Sequence, residues 1–259
     1  MVHLLPLPGS PRFGHDVDPQ AAIALVLEAA LADAKALADG GVDAILVENF
    51  GDAPFFPGSV TPITVAAMTR VITAIRSTIP DQIPLGVNVL RNDGLSALAI
   101  AHACGCQFIR VNVLTGARVT DQGVIQGIAH DLLRQRTTLR ARNIRILADV
   151  DVKHSAPLAE RPLEEEVKDL IQRGLADAVV VSGANTGGAT DPEKVRRVRG
   201  AAGNLPVILG SGVTAQNLLQ YSASAHGAIV GTSLKRLGDP AAPVDVARVR
   251  QLVSAARSL

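Results

Sequence analysis

Short apolar runs alternate with amphipathic stretches along the whole chain. Eight apolar runs lie near residues 2–5, 43–48, 84–89, 108–113, 144–150, 177–182, 206–210 and 227–231. Between them, apolar residues recur at helical spacing near 19–39, 61–78, 94–104, 129–142, 162–173, 191–200, 214–222 and 244–257. Eight strand–helix units predict an α/β protein that forms a single (β/α)8 TIM barrel over residues 1–259.

The predicted connections differ in length according to their direction. Those from helix to strand are brief and marked by glycine, as at Gly40-Gly41 and Gly105. Those from strand to helix are long and polar, and they cover residues 6–18, 49–60, 114–128, 152–161 and 183–190. Because barrel enzymes carry their sites at the carboxyl ends of the strands, we expect function in the long loops.

Composition narrows the classes of protein that fit this pattern. Hydrophobic residues are 47% of the chain but aromatic residues only 2%, which predicts an aliphatic core. The net charge of +1 is spread along the chain, so no basic stripe indicates nucleic-acid binding. No apolar run approaches eighteen residues, so we expect a cytoplasmic protein without direct membrane insertion. A homo-oligomer is compatible with this fold, although no heptad pattern predicts one.

The last two apolar runs predict a phosphate-binding site. The first runs into Gly210, Ser211 and Gly212, and the second into Gly231 and Thr232. Glycine turns let several backbone N–H groups approach one anion, and loops after strands seven and eight hold phosphate in many barrels. A helix starting near residues 214–217 would add its N–H groups. We therefore expect a phosphorylated small-molecule ligand; the alternative is that the glycines only form tight turns.

Polar residues near the strand ends need an explanation, because barrel interiors are normally aliphatic. We predict catalytic roles for the acidic and amine side chains, which are Glu48, Asp149, Asp151 and Lys153. We predict substrate-binding roles for the remaining candidates, which are His3, Asn88, Arg110, Asn112, Asp121 and Ser182. Carboxylates and an amine at alternate positions of one strand can act as general acid and base.

Three other uses of these residues remain open. Arg110 and Lys153 can simply neutralise Asp149 and Glu48 in an internal salt-bridge network. Lys153 can form a Schiff base, although two neighbouring aspartates would keep it charged. Carboxylates at 48, 149 and 151 with His154 can bind a cofactor ion such as Mg²⁺, but no fixed ligand spacing occurs, so we assign no metal residue.

The loop after the fourth run is rich in hydrogen-bonding groups between glycines. It covers residues 115–123 and includes Asp121. Such a loop can order over a bound ligand as a lid, or it can be a solvated surface loop.

Several motifs together resemble one known family. They are His3-Leu4-Leu5-Pro6-Leu7-Pro8-Gly9-Ser10-Pro11, Val47-Glu48-Asn49-Phe50-Gly51-Asp52, Thr120-Asp121-Gln122-Gly123, Ala148-Asp149-Val150 with Lys153-His154, and Leu209-Gly210-Ser211-Gly212. They are similar to the BtpA/SgcQ family over nearly the whole chain. That resemblance implies a ribulose-phosphate-binding barrel, with one branch associated with photosystem I biogenesis and another with sugar-metabolism genes. It implies no catalytic residues.

The sequence thus predicts an enzyme that acts on a phosphorylated sugar or phosphoribosyl compound. Isomerisation through an enediol, or cleavage or formation of a bond at the anomeric carbon, suits paired carboxylates. The alternatives are a non-catalytic biogenesis or assembly factor, such as one for photosystem I, and a phosphosugar sensor.

Overall fold

A computed structural model describes residues 1–14, 18–183 and 188–259. The predicted loops 6–18 and 183–190 therefore lie partly outside the described residues. Eleven strands occur, in chain order β1 (Val2–His3), β2 (Ile45–Glu48), β3 (Leu85–Asn88), β4 (Phe108–Val111), β5 (Ala117–Thr120), β6 (Gly123–Gln126), β7 (Arg145–Val150), β8 (Ser155–Pro157), β9 (Ala178–Val181), β10 (Val207–Leu209) and β11 (Gly227–Ala228).

Eight of these strands form one parallel sheet in the order β1-β2-β3-β4-β7-β9-β10-β11. They correspond one to one with the eight predicted apolar runs. The α-amino group of Met1 donates to the carbonyl of Val230 over 3.0 Å, which links the two ends of the sheet. The prediction of a (β/α)8 barrel is confirmed.

The described residues form seven α-helices, and one follows each parallel strand except β10. They are α1 (Pro19–Asp39), α2 (Pro62–Thr78), α3 (Gly94–Ala103), α4 (Ala129–Thr138), α5 (Leu163–Gln172), α6 (Pro192–Ala202) and α7 (Val246–Arg257). Aspartate precedes four of them and accepts a backbone N–H bond in the first turn, at Asp18, Asp93, Asp191 and Asp245. These side chains satisfy N–H groups that the helix itself leaves free.

The predicted helix at 214–222 is wrong in type. Only a short 3₁₀ turn forms, at Leu218–Tyr221. The Asn217 side chain accepts from the Thr214 N–H at 2.8 Å and donates to the Gly212 carbonyl at 2.8 Å. Because side-chain bonds of this kind compete with helical ones, the chain turns back instead of starting an α-helix.

The predicted loop at 115–123 is also wrong in type, because most of it is strand. β5 and β6 form an antiparallel hairpin, and β8 pairs with the other edge of β5. Arg118 and Ile125 face inward from opposed positions, whereas Val119 and Val124 face solvent. This alternation is the period-two pattern of a half-buried strand, in runs too short to stand out.

The core is aliphatic, as the composition predicts. Its largest fully buried apolar residues come from helices and strands alike and include Leu37, Ile45, Met68, Ile72 and Leu85. Gly86 in β3 faces the ring of Phe108, and a Cβ at Gly86 would lie 2.1 Å from that ring. No helix in the described part of the chain combines the length and apolar character needed to span a bilayer.

A buried ion pair joins helix α1 to the segment after β11. The ammonium of Lys235 contacts the carboxylate of Asp33, and both side chains are almost fully buried. Asp33 also accepts from the Val244 N–H at 2.7 Å. The pair therefore holds the end of the chain against the first helix.

We predict that Lys235→Met lowers the free energy of unfolding by about 3 to 5 kcal/mol, because it leaves the Asp33 carboxylate buried without its cation. Urea denaturation at pH 7 measures the change. The matched control is Lys35→Met, which removes an exposed ion pair with Asp39 in the same helix and should cost at most about 1 kcal/mol. An equal decrease in the free energy of unfolding in the two variants would contradict a structural role for the buried pair of Lys235 and Asp33.

Candidate active site

The carboxyl ends of the parallel strands surround a cavity of about 290 Å³, here called the candidate cavity. Side chains from the early strands form one wall, and two glycine-containing turns form the other. Its lining comprises Met1, His3, Glu48, Arg110, Lys153, Gly210–Thr214, Ile229–Ser233, Gly238 and Arg248. The structure thus brings nine of the fifteen predicted site residues to one cavity, including all five predicted phosphate-binding residues.

A buried polar network lies beneath this cavity. Asp149 accepts two bonds from the Arg110 guanidinium, at 2.9 and 2.8 Å. It also accepts one bond from Asn112 and one from Ser182, each at 3.1 Å. The Arg110 and Asp149 side chains are 1% and 0% exposed. Asp149 therefore holds Arg110 in place, and its predicted role in proton transfer stays a prediction.

Glu48 is the carboxylate that faces the cavity. The Asn88 amide donates to it at 2.7 Å, so Asn88 holds the carboxylate from behind. Burial alone would raise the pKa of Glu48, but the interaction with His3 when its ring is protonated, the charges of Lys153 and Arg110, and the Asn88 bond lower it below its usual value. Glu48 is therefore ionised at neutral pH and can accept a proton.

His3 is held in one tautomer beside Glu48. Its ring stacks on Phe50 at a centroid separation of 4.3 Å, and its Nδ1 lies 3.1 Å from the Pro240 carbonyl. A carbonyl only accepts, so Nδ1 carries the proton and Nε2 is the acceptor. Burial lowers the pKa of His3 to about 4, so the ring is neutral at pH 7.

Lys153 lines the same cavity, and its ammonium makes no hydrogen bond or salt bridge with the residues that the structure describes. Burial lowers the pKa of its ammonium. The charge of Glu48 raises this pKa, and the charge of Arg110 lowers it further. No hydrogen bond or salt bridge joins Lys153 to Glu48, two residues that the structure describes. The predicted neutralising network is therefore present for Arg110 and Asp149, but no such contact joins Lys153 and Glu48.

Two predicted site residues lie away from the candidate cavity. Asp151 contacts Arg118 at 2.8 Å and Lys194 at 2.7 Å, because its backbone turns at a φ of 50° after β7. Burial alone would raise the pKa of Asp151, but these two cations lower it. Asp121 lies exposed in the turn between β5 and β6. The structure therefore does not bring these two residues together with Glu48 and Lys153, and their predicted roles stay predictions.

The carboxylates considered as possible Mg²⁺ ligands do not form a cluster in the described residues. Asp149 and Asp151 are each paired with cations, as described above. Residues 1–14, 18–183 and 188–259 contain no group of three or more histidine, cysteine, aspartate or glutamate side chains placed to hold a metal ion.

The two glycine turns approach other groups closely. A Cβ at Gly231 would lie 3.0 Å from the His3 ring, and one at Gly210 would lie 2.4 Å from Ser182 Oγ. Gly212 has a φ of 71°, a conformation that favours glycine. Glycine at these positions therefore lets the turns pack directly on the buried polar residues.

Two basic residues at the site were missed by sequence analysis. Arg91, 5% exposed, donates to the backbone carbonyl of Lys153 at 2.5 Å. Arg248 on α7 reaches the second glycine turn, where it donates to the Ser233 carbonyl at 3.4 Å. Arg91 could have been predicted from the polar residues that follow β3. Nothing in the sequence around Arg248, on the last helix, indicated a place at the site.

Comparison with known proteins agrees with this architecture. The model of the BtpA family matches residues 1–258. The chain belongs to the BtpA family. The photosystem I biogenesis protein BtpA of Synechocystis is 47% identical over 98% of this chain and 86% of its own length.

Solved structures share the fold with this BtpA-family chain at low identity. Phosphoribosyl anthranilate isomerase from Thermus thermophilus is 15% identical, with a TM-score of 0.55 over 90% of this chain and 94% of its own. A native KDPGal structure is 18% identical, with a TM-score of 0.56 over 89% of each chain. At these identities the likeness shows the barrel fold alone.

We predict that His3 makes stability depend on pH between 6.5 and 4. The unfolded histidine binds a proton below 6.5 but the folded one only near 4, so stability falls as pH falls through this window. The loss should reach about 3 kcal/mol at pH 4. Urea denaturation between pH 7 and pH 4 measures the free energy of unfolding. It should decline less steeply with falling pH in His3→Asn, a variant that keeps a donor for the Pro240 carbonyl. Parallel declines in both proteins would contradict the prediction.

Proposed function

We propose that this protein is an enzyme that acts on a phosphorylated sugar or phosphoribosyl-type small molecule. The observation that carries the proposal is the composition of the candidate cavity. Two turns rich in N–H and hydroxyl groups form one wall, and an ionised Glu48, a neutral His3 and Lys153 lie on the other. This arrangement separates a place for an anion from a place for proton transfer.

The phosphate would rest on the turns at residues 210–214 and 231–233. Glycine removes the side chain that would keep a phosphate from the backbone N–H groups, and Ser211, Thr232 and Ser233 add hydroxyl donors. Arg248 supplies positive charge at the rim of the cavity. The barrel shared with a phosphoribosyl anthranilate isomerase supports this choice of ligand by analogy.

Proton transfer would fall to Glu48, with Lys153 and His3 beside it. The ionised Glu48 accepts a proton from the bound sugar, and Lys153 donates to or stabilises the oxygen that becomes negative. Arg110 keeps this side of the cavity positive while Asp149 holds it in place. Isomerisation through an enediol and bond cleavage or formation at the anomeric carbon both use these roles.

We predict that ribose 5-phosphate stabilises the protein against heat and that ribose does not. At a hundred times its dissociation constant, the ligand should raise the melting temperature by roughly 5 to 10 °C. Arg248→Ala should weaken this binding roughly tenfold, since it removes a charged donor. Arg250→Ala, an exposed change on the same helix, is the matched control. Equal shifts with both sugars would contradict the phosphate site.

A second candidate function is that of a biogenesis factor. The observation that favours it is the 47% identity to the photosystem I biogenesis protein BtpA over nearly the whole chain. In that case the barrel would act through a partner-binding surface, and proton transfer by Glu48 would be unnecessary.

Complementation separates the two functions. We predict that this chain restores photosystem I content in Synechocystis cells without BtpA only if the biogenesis function is shared. Glu48→Gln changes one atom of a buried carboxylate and keeps its bond to Asn88. Restoration by the wild type and not by Glu48→Gln at equal protein levels would favour catalysis. Restoration by both would favour a non-catalytic factor.

A further inference from the structure

We propose that Lys153 forms a Schiff base with the carbonyl carbon of an open-chain sugar phosphate bound in the candidate cavity. The inference rests on the proposed function and narrows it to aldose or ketose phosphates whose carbonyl group is free. Compounds whose anomeric carbon carries a substituent would not react in this way.

The two aspartates near Lys153 in the sequence are bonded to other side chains. From sequence, Asp149 and Asp151 would each be expected to hold its ammonium as a cation. In the structure Asp149 accepts four bonds from Arg110, Asn112 and Ser182, and Asp151 contacts Arg118 and Lys194. The described residues give the Lys153 ammonium no hydrogen bond or salt bridge. The sequence argued against a nucleophilic Lys153 because these two aspartates would keep it charged. Their contacts with other residues remove that argument.

The backbone around Lys153 is fixed in an unusual conformation that brings this residue to the cavity. Asp151 and His154, on either side, have φ values of 50° and 55° in the left-handed region. The Lys153 carbonyl accepts from the buried Arg91 guanidinium at 2.5 Å. Non-glycine residues in this conformation cost free energy and cluster at functional sites. The bend places Lys153 in the cavity that the two glycine turns also line.

The local environment favours the neutral amine that the reaction needs. Burial is the largest cause and lowers the pKa of Lys153; Glu48 and Asp149 raise it and Arg110 and Arg91 lower it, so that the net direction is down. Desolvation next to another cation is the means by which lysine nucleophiles are activated in enzymes. A phosphate on the facing turns would hold the sugar carbonyl within the same cavity.

The chemistry is balanced without a further reagent. The lone pair of neutral Nζ attacks the carbonyl carbon, a C–N bond forms, and the carbonyl π electrons move to oxygen. Both hydrogens of the amine then leave with that oxygen as one molecule of water, and a C=N bond remains. Protonation of the imine makes it an electron sink, so that Glu48 can take a proton from the adjacent carbon.

Borohydride trapping tests the proposal. The protein is incubated with ribose 5-phosphate or ribose, reduced with sodium borohydride, and analysed by intact-mass and peptide mass spectrometry. Reduction of the imine should add the mass of the sugar phosphate less one oxygen atom to Lys153. The yield should exceed that with ribose at least about tenfold, because a single charged bond to the phosphate changes affinity by that factor.

Two variants provide the controls. Lys153→Arg keeps the positive charge but cannot form an imine, so it should lose the adduct while ribose 5-phosphate still raises its melting temperature. Lys168→Met removes an exposed lysine on α5 and should leave the adduct unchanged.

The outcomes distinguish this inference from the proposed function. Thermal stabilisation by ribose 5-phosphate without an adduct on Lys153 would overturn the Schiff base and leave the phosphate site standing. Labelling of Lys168 and Lys153 to the same extent would also overturn it. Neither stabilisation nor adduct with this probe would overturn both.

Discussion

The ion pair between Arg110 and Asp149 is the interaction on which the candidate site depends. It lies beneath the cavity, where both side chains are almost completely removed from water. Removing two charges from water costs several kcal/mol for each ion, and attraction offsets this only when the geometry is good and the remaining polar atoms are bonded. The bidentate contact, with Asn112 and Ser182 as further donors to Asp149, meets that condition. It also joins strands β4 and β7 to Ser182, which directly follows β9.

This pair assigns separate roles to side chains that look alike in the sequence. Asp149 accepts four hydrogen bonds from its neighbours, whereas Glu48 lines the candidate cavity. Asp151 is drawn to Arg118 and Lys194 on the outer side, where the small antiparallel sheet covers the barrel. Lys153 makes no salt bridge with the described residues and lines the candidate cavity together with the glycine turns. One cavity thus holds a carboxylate, an amine and a neutral imidazole, with a different set of neighbours for each.

The glycine turns and the first strand depend on each other. Gly231 packs against the His3 ring, where a Cβ would lie 3.0 Å away. That ring stacks on Phe50 and lies 3.1 Å from the Pro240 carbonyl through its Nδ1. The Lys235 and Asp33 pair fixes the same terminal segment against α1. The second glycine turn is therefore supported by contacts between residues about two hundred positions apart in sequence.

The sequence by itself determined the barrel, because the alternation of apolar runs with helical patterns is a local property that each segment carries alone. It also located the glycine turns and the polar strand ends, since strand direction places all of them at one end of the sheet. Only the tertiary structure decided which acid faces the cavity, because pairing between Arg110 and Asp149 depends on neighbouring strands and on the rotation of each side chain. The same holds for Arg248, whose place is fixed by packing of the last helix. The bend at Asp151 follows from backbone conformation, which a pattern of alternating residues does not encode.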